Sequence, residues 1–463
     1  MFSINFLGAA GTVTGSKYFI HNEKEGLLID CGLYQGLKEL RLRNWEPLPI
    51  NPKKIKTIVI THAHIDHTGY LPLLVKQGFS GEVLMTSATM DLCKILLPDS
   101  AHLQEEEANY ANKKGYSKHK PALPLYNSSD AYDALQHLKA VEYGKIVQVS
   151  DNISFRLQDA GHILGSSMAE IWLKDGEKTT KVVFSGDLGR YNVPIMRDPS
   201  IIEDADYLVS ESTYGDRLHS ATPVDESLAG VINESIKMGG IILVPAFAVE
   251  RTQEILYIME ELLKSGKIPD IPLYIDSPMA ISVNQVFTNH REDFDEETLK
   301  RKKEGRDFLE YPNLHIASTI DQSKSINSIA SRAFIMSASG MATGGRVLHH
   351  LVNRLPSPKN IILLVGYQAA GTRGRDLQDG AESLKIYGEK IPVKAKIITI
   401  DGFSSHADYN EILKWYGGFK KAPKKLFLTH GEPKASQSMA EKAKEKLGWE
   451  TYIPKYLDDI TLE

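Results

Sequence analysis

The chain contains only two cysteines, Cys31 and Cys93, among its 463 residues. They lie far apart and form no C-x-x-C pair, so we expect no disulfide framework. Two isolated thiols fit a reducing compartment. We therefore expect a cytoplasmic protein.

Long apolar runs are also missing. No stretch approaches the roughly 20 apolar residues that a membrane-spanning helix needs, so we expect no membrane partner. The first residues, "MFSINFLGAAGTVTGSKYFI", lack the basic start of a signal peptide. They are more typical of the first strands of a folded domain.

The sequence has no excess of positive charge. Its 54 Lys and Arg residues face 59 Asp and Glu residues, which gives a net charge of -5. Overall charge therefore does not indicate a nucleic-acid binder, although a local basic cleft remains possible. The composition, 42% hydrophobic and 24% charged, is that of a soluble globular protein long enough for two or three domains.

What the sequence does have is a dense cluster of metal-binding residue types, "THAHIDHTG", at residues 61–69. His62 and His64 are two residues apart, which places both side chains on the same side of an extended segment. Asp66 and His67 follow one turn later. A lone H-x-H pair is usually structural. Here three histidines and one aspartate directly follow the β-branched run "TIVIT", and these polar side chains would be costly to bury without partners. Their number and spacing therefore predict a metal site.

Further chemically active side chains follow other predicted strands. In an α/β sheet the ends of strands meet at the edge where sites are built. One tetrahedral zinc takes four ligands, whereas seven candidates with one shared carboxylate favour two metals. The seven candidate ligands are His62, His64, Asp66, His67, His162, Asp187 and His430. Asp30 is either a turn carboxylate or, as we favour, a residue that orients a histidine ligand.

The middle of the chain repeats a strand followed by a glycine-rich turn, which is typical of a second α/β unit with parallel strands. The simplest organisation is a first domain at residues 1–212 and 393–463, split by an inserted domain at 213–392. Two glycine-rich turns in the insert, residues 337–346 and 366–375, suit phosphate binding. The predicted contacts are Ser337, Gly340, Arg346, Arg373 and Arg375. The alternative is that these are tight turns whose glycines serve the backbone only.

These motifs together resemble a known family. "HAHIDH", preceded by "IDCG" and followed by "GHILGS" and "SGDLG", resembles the metallo-β-lactamase fold. "SESTYG", "GFSSHAD" and "LTHGE", with "VPAFAVERTQEIL" and "SGMATGGR", resemble its β-CASP branch of nucleases. The resemblance spans essentially the whole chain and is closest to the RNA-cleaving subgroup, which includes the pre-mRNA 3′-end cleavage endonuclease. The DNA-processing subgroup has a valine where this chain has His406.

The resemblance implies an α/β fold, a metallo-β-lactamase αββα sandwich with an inserted β-CASP domain. It also implies roles for single residues. His62, His64 and His162 would hold one zinc, Asp66, His67 and His430 the other, and Asp187 would bridge them. Glu211 would pair with His406 as general acid, and Asp30 would orient a ligand. The catalytic set is then Asp66, Asp187, Glu211 and His406.

We therefore expect a ribonuclease with two Zn²⁺ per chain that hydrolyses single-stranded RNA internally. Three alternatives remain open from the sequence: a small-molecule hydrolase acting on a thioester or lactone, a non-catalytic partner protein, and a 5′–3′ exoribonuclease. The sequence also leaves a homodimer open.

Overall fold

The computed structural model of the protein describes residues 1–115 and 117–463. The chain forms two compact units, one of Met1–Leu218 with Ser405–Glu463 and one of His219–Ser404. Both boundaries lie later in the chain than the sequence-based boundaries at 213 and 393. The second one does so because the strand Lys396–Ile400 pairs with Ile361–Val365 and so belongs to the sheet of the second unit.

The first unit begins with eleven strands in chain order. They are β1 (Ser3–Phe6), β2 (Tyr18–His21), β3 (Gly26–Ile29), β4 (Thr57–Val59), β5 (Glu82–Met85), β6 (Leu138–Ala140), β7 (Ile146–Gln148), β8 (Ile153–Asp159), β9 (Ser167–Asp175), β10 (Lys178–Phe184) and β11 (Tyr207–Glu211). The helices among them are α1 (Lys38–Arg43), α2 (Ile65–Thr68), α3 (Leu71–Lys76), α4 (Ser87–Lys114) and α5 (Ser128–Leu135).

The second unit alternates strands and helices. Its strands are β12 (Ile241–Pro245), β13 (Leu273–Asp276), β14 (Leu314–Ile316), β15 (Ala333–Ser337), β16 (Ile361–Val365), β17 (Ser383–Ile386), β18 (Glu389–Pro392) and β19 (Lys396–Ile400). Its helices are α6 (Val224–Met238), α7 (Arg251–Lys264), α8 (Ala280–Asn289), α9 (Glu296–Lys303), α10 (Ile320–Ile326), α11 (Val347–Arg354) and α12 (Arg373–Gln378).

The last segment returns to the first unit. It contains α13 (Tyr409–Tyr416), β20 (Lys425–Thr429), α14 (Pro433–Leu447), β21 (Thr451–Tyr452) and β22 (Asp459–Thr461). Two seven-stranded sheets result, in the orders β22-β1-β2-β3-β4-β5-β6 and β21-β20-β11-β10-β9-β8-β7.

A hydrophobic core lies between these two sheets. Phe6, Leu27 and Val59 from the first sheet pack with Phe155 and Ile171 from the second, and all five side chains are buried. The period-two alternation of β8, in which residues 153, 155 and 157 are buried, is what puts one face of that sheet into the core. A separate core lies on the other face of the second sheet, under α13 and α14. This is the αββα sandwich predicted from the motifs.

The second unit is built on a six-stranded parallel sheet in the order β14-β13-β15-β12-β16-β19. Its central strands β12, β15 and β16 are almost wholly apolar and wholly buried, as expected for a parallel sheet covered by helices on both faces. In the described part of the chain, no helix combines the length and apolarity that crossing a bilayer requires.

Candidate metal centre

The histidine segment lies just after the end of β4. His62 and His64 are in the extended stretch after that strand, and the chain then turns into α2, which carries Asp66 and His67. Gly32 packs directly on this turn, because a Cβ there would lie 1.5 Å from the carbonyl oxygen of Asp66. A change from extended to helical backbone within five residues thus points two pairs of ligands in different directions.

The first ligand group consists of His62, His64, His162 and Asp187. The Nδ1 atom of His64 lies 3.0 Å from Nε2 of His62 and 3.4 Å from Nε2 of His162. The Oδ2 atom of Asp187 lies 3.5 Å from the first of these Nε2 atoms and 3.6 Å from the second. Four donor atoms therefore surround one point.

The second ligand group consists of Asp66, His67 and His430. The two imidazoles approach each other with their Nε2 atoms 3.2 Å apart. The Oδ2 atom of Asp66 lies 3.3 Å from Nε2 of His430 and 4.0 Å from Nε2 of His67.

Asp187 joins the two groups. Its Oδ2 atom faces His62 and His162, whereas its Oδ1 atom lies 3.4 Å from Nε2 of His67 and 3.5 Å from Nδ1 of His430. Burial opposes the charged form of this carboxylate. The surrounding imidazoles, first that of His430, nevertheless hold its pKa well below the ordinary value. It is therefore an anion with one oxygen directed at each group.

The donor atoms fit a divalent metal. Two ligands about 2.1 Å from one tetrahedral ion lie about 3.4 Å apart, which is close to the spacings in both groups. The partners of the two rings in the second group show which nitrogen of each ring faces the ligand group. Nδ1 of His67 faces the Asp30 carboxylate at 2.7 Å and so carries its proton. Nδ1 of His430 donates to the Thr213 hydroxyl at 3.1 Å, because that hydroxyl gives its own proton to the His430 carbonyl oxygen.

The Nε2 atoms of the two rings consequently face each other at 3.2 Å, and a metal ion between them would be bound by both. Burial opposes the charged form of His67, but the Asp187 and Asp30 carboxylates raise its pKa well above the ordinary value, so a metal ion would displace a proton from its Nε2 atom. In the first group burial lowers the pKa of His62 and His162 well below the ordinary value and that of His64 to about 4. These rings are therefore neutral at pH 7, the form in which imidazole binds metals. Each of the seven predicted ligands thus lies in one of two groups that could hold a metal.

Three side chains that the sequence did not single out hold the ligands in place. Thr61 donates its backbone N–H to Asp30 Oδ1 at 2.8 Å, and its hydroxyl lies 3.2 Å from Nδ1 of His62. Thr213 holds His430, and the Ser16 hydroxyl lies 3.3 Å from Nε2 of His67. Small hydroxyl residues near strand ends are too common to be identified from one sequence. Asp30, which orients Thr61 and the His67 ring, is in the position predicted for an orienting carboxylate.

The partly exposed His406 and the buried Glu211 form a pair beside the ligands. Nδ1 of His406 lies 3.0 Å from Oε2 and 3.2 Å from Oε1 of Glu211. Glu211 comes within 4.8 Å of Asp187 and His430, but its Oε1 atom accepts the Leu188 N–H, so its carboxylate is already engaged. Burial alone favours the neutral imidazole, yet the Glu211 charge raises the pKa of His406 to about 9. The pair therefore supplies a protonated imidazole at neutral pH next to the bridging carboxylate.

The five predicted phosphate contacts lie in the second unit, and their side chains have partners within it. The Arg346 guanidinium bonds Asp276 at 2.8 Å and the carbonyl oxygens of Ala317 and Ser318. Arg373 donates to carbonyl oxygens of residues 342, 343 and 385, and Arg375 pairs with Asp379 at 2.9 Å. The Ser337 hydroxyl bonds the Asp276 carbonyl oxygen, and Gly340 packs on the Phe247 ring. Phosphate contact at these positions stays a prediction.

Three family models match the chain. A metallo-β-lactamase superfamily model matches residues 10–93, a Beta-Casp domain model residues 252–377, and a model described as a Zn-dependent metallo-hydrolase RNA specificity domain residues 390–454. A crystal structure of a protein of unknown function from Enterococcus faecalis covers 100% of both chains with a TM-score of 0.54 at 13% identity. That likeness concerns the fold alone.

Curated relatives match over nearly the whole length. The chain is 34% identical to ribonuclease TTHA0252 of Thermus thermophilus over 92% of each chain. It is 30% identical to an RNase J-like protein of Methanocaldococcus jannaschii over 98% of each chain. It is also 30% identical to the transcription termination factor FttA of the same archaeon, over 99% of this chain and 72% of that protein. The chain therefore belongs to the β-CASP ribonuclease family of the metallo-β-lactamase superfamily.

Proposed function

We propose that this protein is a zinc-dependent endoribonuclease that hydrolyses single-stranded RNA at a centre of two metals. The observation that carries the proposal is the position of Asp187, whose two carboxylate oxygens face two separate ligand groups. A carboxylate of this kind, shared between two sites, is the hallmark of two-metal hydrolases. Zinc is the metal we propose, because five of the seven donors are imidazoles.

Each group of residues has a distinct role in the proposed reaction. His62, His64, His162 and Asp187 would hold one ion, and Asp66, His67, His430 and Asp187 the other. The bound ions would supply Lewis acidity, which would lower the pKa of the attacking water and neutralise charge on the phosphate oxygens. Thr61, Thr213 and Asp30 keep the imidazole rings in the tautomer that offers its free nitrogen to the ligand group.

His406 supplies the proton for the leaving group. It is protonated at neutral pH because Glu211 stabilises its positive charge. Its Nδ1 atom is tied to Glu211, so its other nitrogen, Nε2, is the one that would donate to the departing 3′ oxygen of ribose. The products we propose are a 3′-hydroxyl and a 5′-phosphate.

The RNA substrate is proposed from two findings. The chain matches a ribonuclease over nearly its full length, and a model of an RNA specificity domain matches residues 390–454. The cysteines, both free and buried, agree with our proposal that the enzyme acts in the cytoplasm.

A circular single-stranded RNA tests the proposal directly, because it offers no 5′ end to an exonuclease. The zinc-loaded protein should linearise the circle and also cut a matched linear RNA with a blocked 5′ end. Asp187→Ala should cut neither, and Asp151→Asn, a change at an exposed carboxylate, should cut like wild type.

Two other outcomes would decide against the proposal. Cleavage of the linear 5′-phosphorylated RNA alone would make the enzyme a 5′–3′ exoribonuclease. Two bound metals without cleavage of any RNA, combined with hydrolysis of a thioester or lactone, would make it a small-molecule hydrolase.

A further inference from the structure

Near the metal centre, the segment of residues 34–46 exposes large apolar side chains to solvent. Leu42 and Trp45 are 52% and 56% exposed, and Trp45 is much the most exposed tryptophan of the four in the sequence. A single exposed apolar residue is common on protein surfaces, so the observation that matters is that Trp45 and Leu42 are exposed three residues apart on one helical segment.

The segment is fixed in place and is not a loose loop. The buried Asn44 side chain accepts the Tyr34 N–H at 2.9 Å and donates to the Tyr34 carbonyl oxygen at 2.8 Å, which closes the segment at its base. The Arg43 guanidinium lies 4.4 Å from the Tyr456 ring centre and 5.6 Å from that of Tyr34. Trp45 is therefore presented in a defined position.

The residues directly before this segment are hydrogen-bonded to the helix that carries two of the candidate ligands. The Cys31 N–H donates to the His67 carbonyl oxygen, and the Leu33 N–H donates to the Ile65 carbonyl oxygen. Since successive Cα atoms are about 3.8 Å apart, the path from Asp66 through Gly32, Tyr34 and Asn44 places Trp45 within about 20 Å of the ligands. This is a short distance for a polymer substrate whose cleavage site is at the metal centre.

The exposed side chains are arranged as one face. Helix α1 continues as turns to residue 46, because the N–H groups of residues 44, 45 and 46 bond the carbonyl oxygens of residues 41, 42 and 43. Positions i, i+3, i+4 and i+7 then lie on the same side. In this chain they are Lys38, Arg41, Leu42 and Trp45, all exposed, and together they form what we call the Trp45 face.

The four residues of the Trp45 face include two cations, and the exposed carboxylates of Glu39 and Glu46 lie beside them on the same segment. With Arg43 the segment of residues 37–46 carries three cations and two carboxylates, a local excess of positive charge in a chain whose net charge is -5. Neither Lys38 nor Arg41 forms an ion pair within the described residues. A surface that combines a free aromatic ring with free cations is complementary to single-stranded nucleic acid, whose bases stack on the ring while its phosphates meet the cations.

We infer that the Trp45 face is a secondary RNA-binding surface, on which a nucleotide outside the cleavage site stacks against Trp45 while Lys38 and Arg41 hold its phosphates. This inference rests on the proposed ribonuclease function. It assigns to the surface a role in holding the strand and none in the chemistry.

The test compares two substrates that undergo the same chemistry. One is a single-stranded RNA of about 20 nucleotides, and the other is a mononucleotide p-nitrophenyl phosphodiester, which cannot reach from the metal centre to the Trp45 face. Trp45→Ala should raise KM for the RNA about tenfold, the order of loss expected when one base no longer stacks on an aromatic ring. The kcat for RNA and the hydrolysis of the small phosphodiester should stay unchanged.

A binding measurement complements the kinetics. In the metal-loaded His406→Ala background, in which cleavage should be slow, fluorescence anisotropy of the labelled RNA should show the same tenfold loss of affinity for Trp45→Ala, while Trp45→Phe, which keeps a ring, should stay within about threefold of the background protein. The matched control is Tyr132→Ala, because Tyr132 is 58% exposed in the same unit. Lys38→Gln combined with Arg41→Gln should reduce the slope of log Kd against log salt by about 1.4, or about 0.7 per phosphate contact.

The results separate the two proposals. If wild type cuts no RNA, the proposed function fails whatever the variants do. If wild type cuts RNA and Trp45→Ala has the same KM and Kd, the inference about the Trp45 face alone is overturned. It is equally overturned if Trp45→Ala impairs the small phosphodiester as much as the RNA, or if the substitution changes only the oligomeric state, which would make the face a contact with a second copy of the chain.

Discussion

At the scale of single residues, His406 is the group whose role differs most from those of its neighbours. It is tied to Glu211 and lies 4.0 Å from Asp187, outside both ligand groups. His406→Ala should lower kcat for RNA by about 10²–10⁴-fold, the usual contribution of a general acid. The metal content, measured by elemental analysis, should stay at the wild-type value.

The control is His102→Ala, which removes an exposed histidine of the same unit and should leave both quantities unchanged. A loss of metal from the His406→Ala protein in proportion to its loss of turnover would make His406 a ligand and contradict the assignment.

Asp30 supports a second prediction at this scale. Its carboxylate accepts the Thr61 N–H at 2.8 Å and faces Nδ1 of His67 at 2.7 Å. Asp30→Asn keeps the shape but removes the charge that fixes the His67 tautomer. We expect a 10- to 100-fold loss of metal affinity, roughly the effect of removing such a partner. Competition with a chromophoric chelator measures it, and an unchanged affinity would show that Asp30 serves only the turn.

At the scale of elements, close backbone contacts bring the ligand loops together. Gly189 follows Asp187 and packs on the loop that carries His162, so that a Cβ at Gly189 would lie 1.9 Å from the Gly161 carbonyl oxygen. Gly189→Ala should lower the free energy of unfolding by about 1–3 kcal/mol and reduce bound metal. Gly230→Ala, in open space within α6, is the control and should be neutral or slightly stabilising. Equal stability of the two variants would show that these loops can separate without cost.

The sheet next to His162 and Asp187 contains an ionic cluster around the buried Glu170. Glu170 on β9 lies 2.6 Å from Arg156 on β8 and 2.8 Å from Lys181 on β10. Burial opposes ionisation, but the hydrogen bonds from these two cations, first that of Arg156, lower the pKa of Glu170 below its ordinary value.

A carboxylate with a depressed pKa stabilises the fold above its unfolded-state pKa of about 4.3, and this contribution is lost as the pH falls through the folded-state pKa. Glu170→Gln should therefore destabilise the protein by about 3 kcal/mol at pH 7, as expected for breaking a buried pair. In urea unfolding series at several pH values, the difference from wild type should shrink as the pH falls below about 4. A difference that is the same at all pH values would mean that packing, and not charge, is lost.

The elements also show what the sequence could predict. Strand ends located the residues that the structure brings together in the two groups, because apolar runs such as "TIVIT" and "VVFSGD" mark where a buried strand meets polar side chains. The position of His406 is not marked by a strand end in this way. His406 follows a short 3₁₀ turn at Asp401–Phe403 and pairs with Gly189 through an isolated bridge. A pairing between residues 217 positions apart depends on tertiary structure and leaves no local signal. The same holds for Thr61, Thr213 and Asn44, whose roles are set by what they face.

At the scale of the whole molecule, all the candidate ligands belong to one of the two compact units. Metal removal should therefore loosen that unit selectively, because bound metal stabilises only the folded form. Hydrogen–deuterium exchange after chelation should be faster in peptides covering residues 57–68 and 160–190. Exchange in β12 and β16 of the other unit should stay unchanged. Uniformly faster exchange in both units would show that they unfold as one.

The central claim, that one carboxylate joins two metal sites, is tested most directly by counting zinc per chain in site variants with native mass spectrometry, alongside RNA cleavage. Wild type should hold two ions, His162→Ala and His430→Ala one each, and Asp187→Ala at most one, with rapid cleavage by wild type alone. A wild-type protein that holds one zinc per chain and still cleaves RNA at its full rate would contradict the claim.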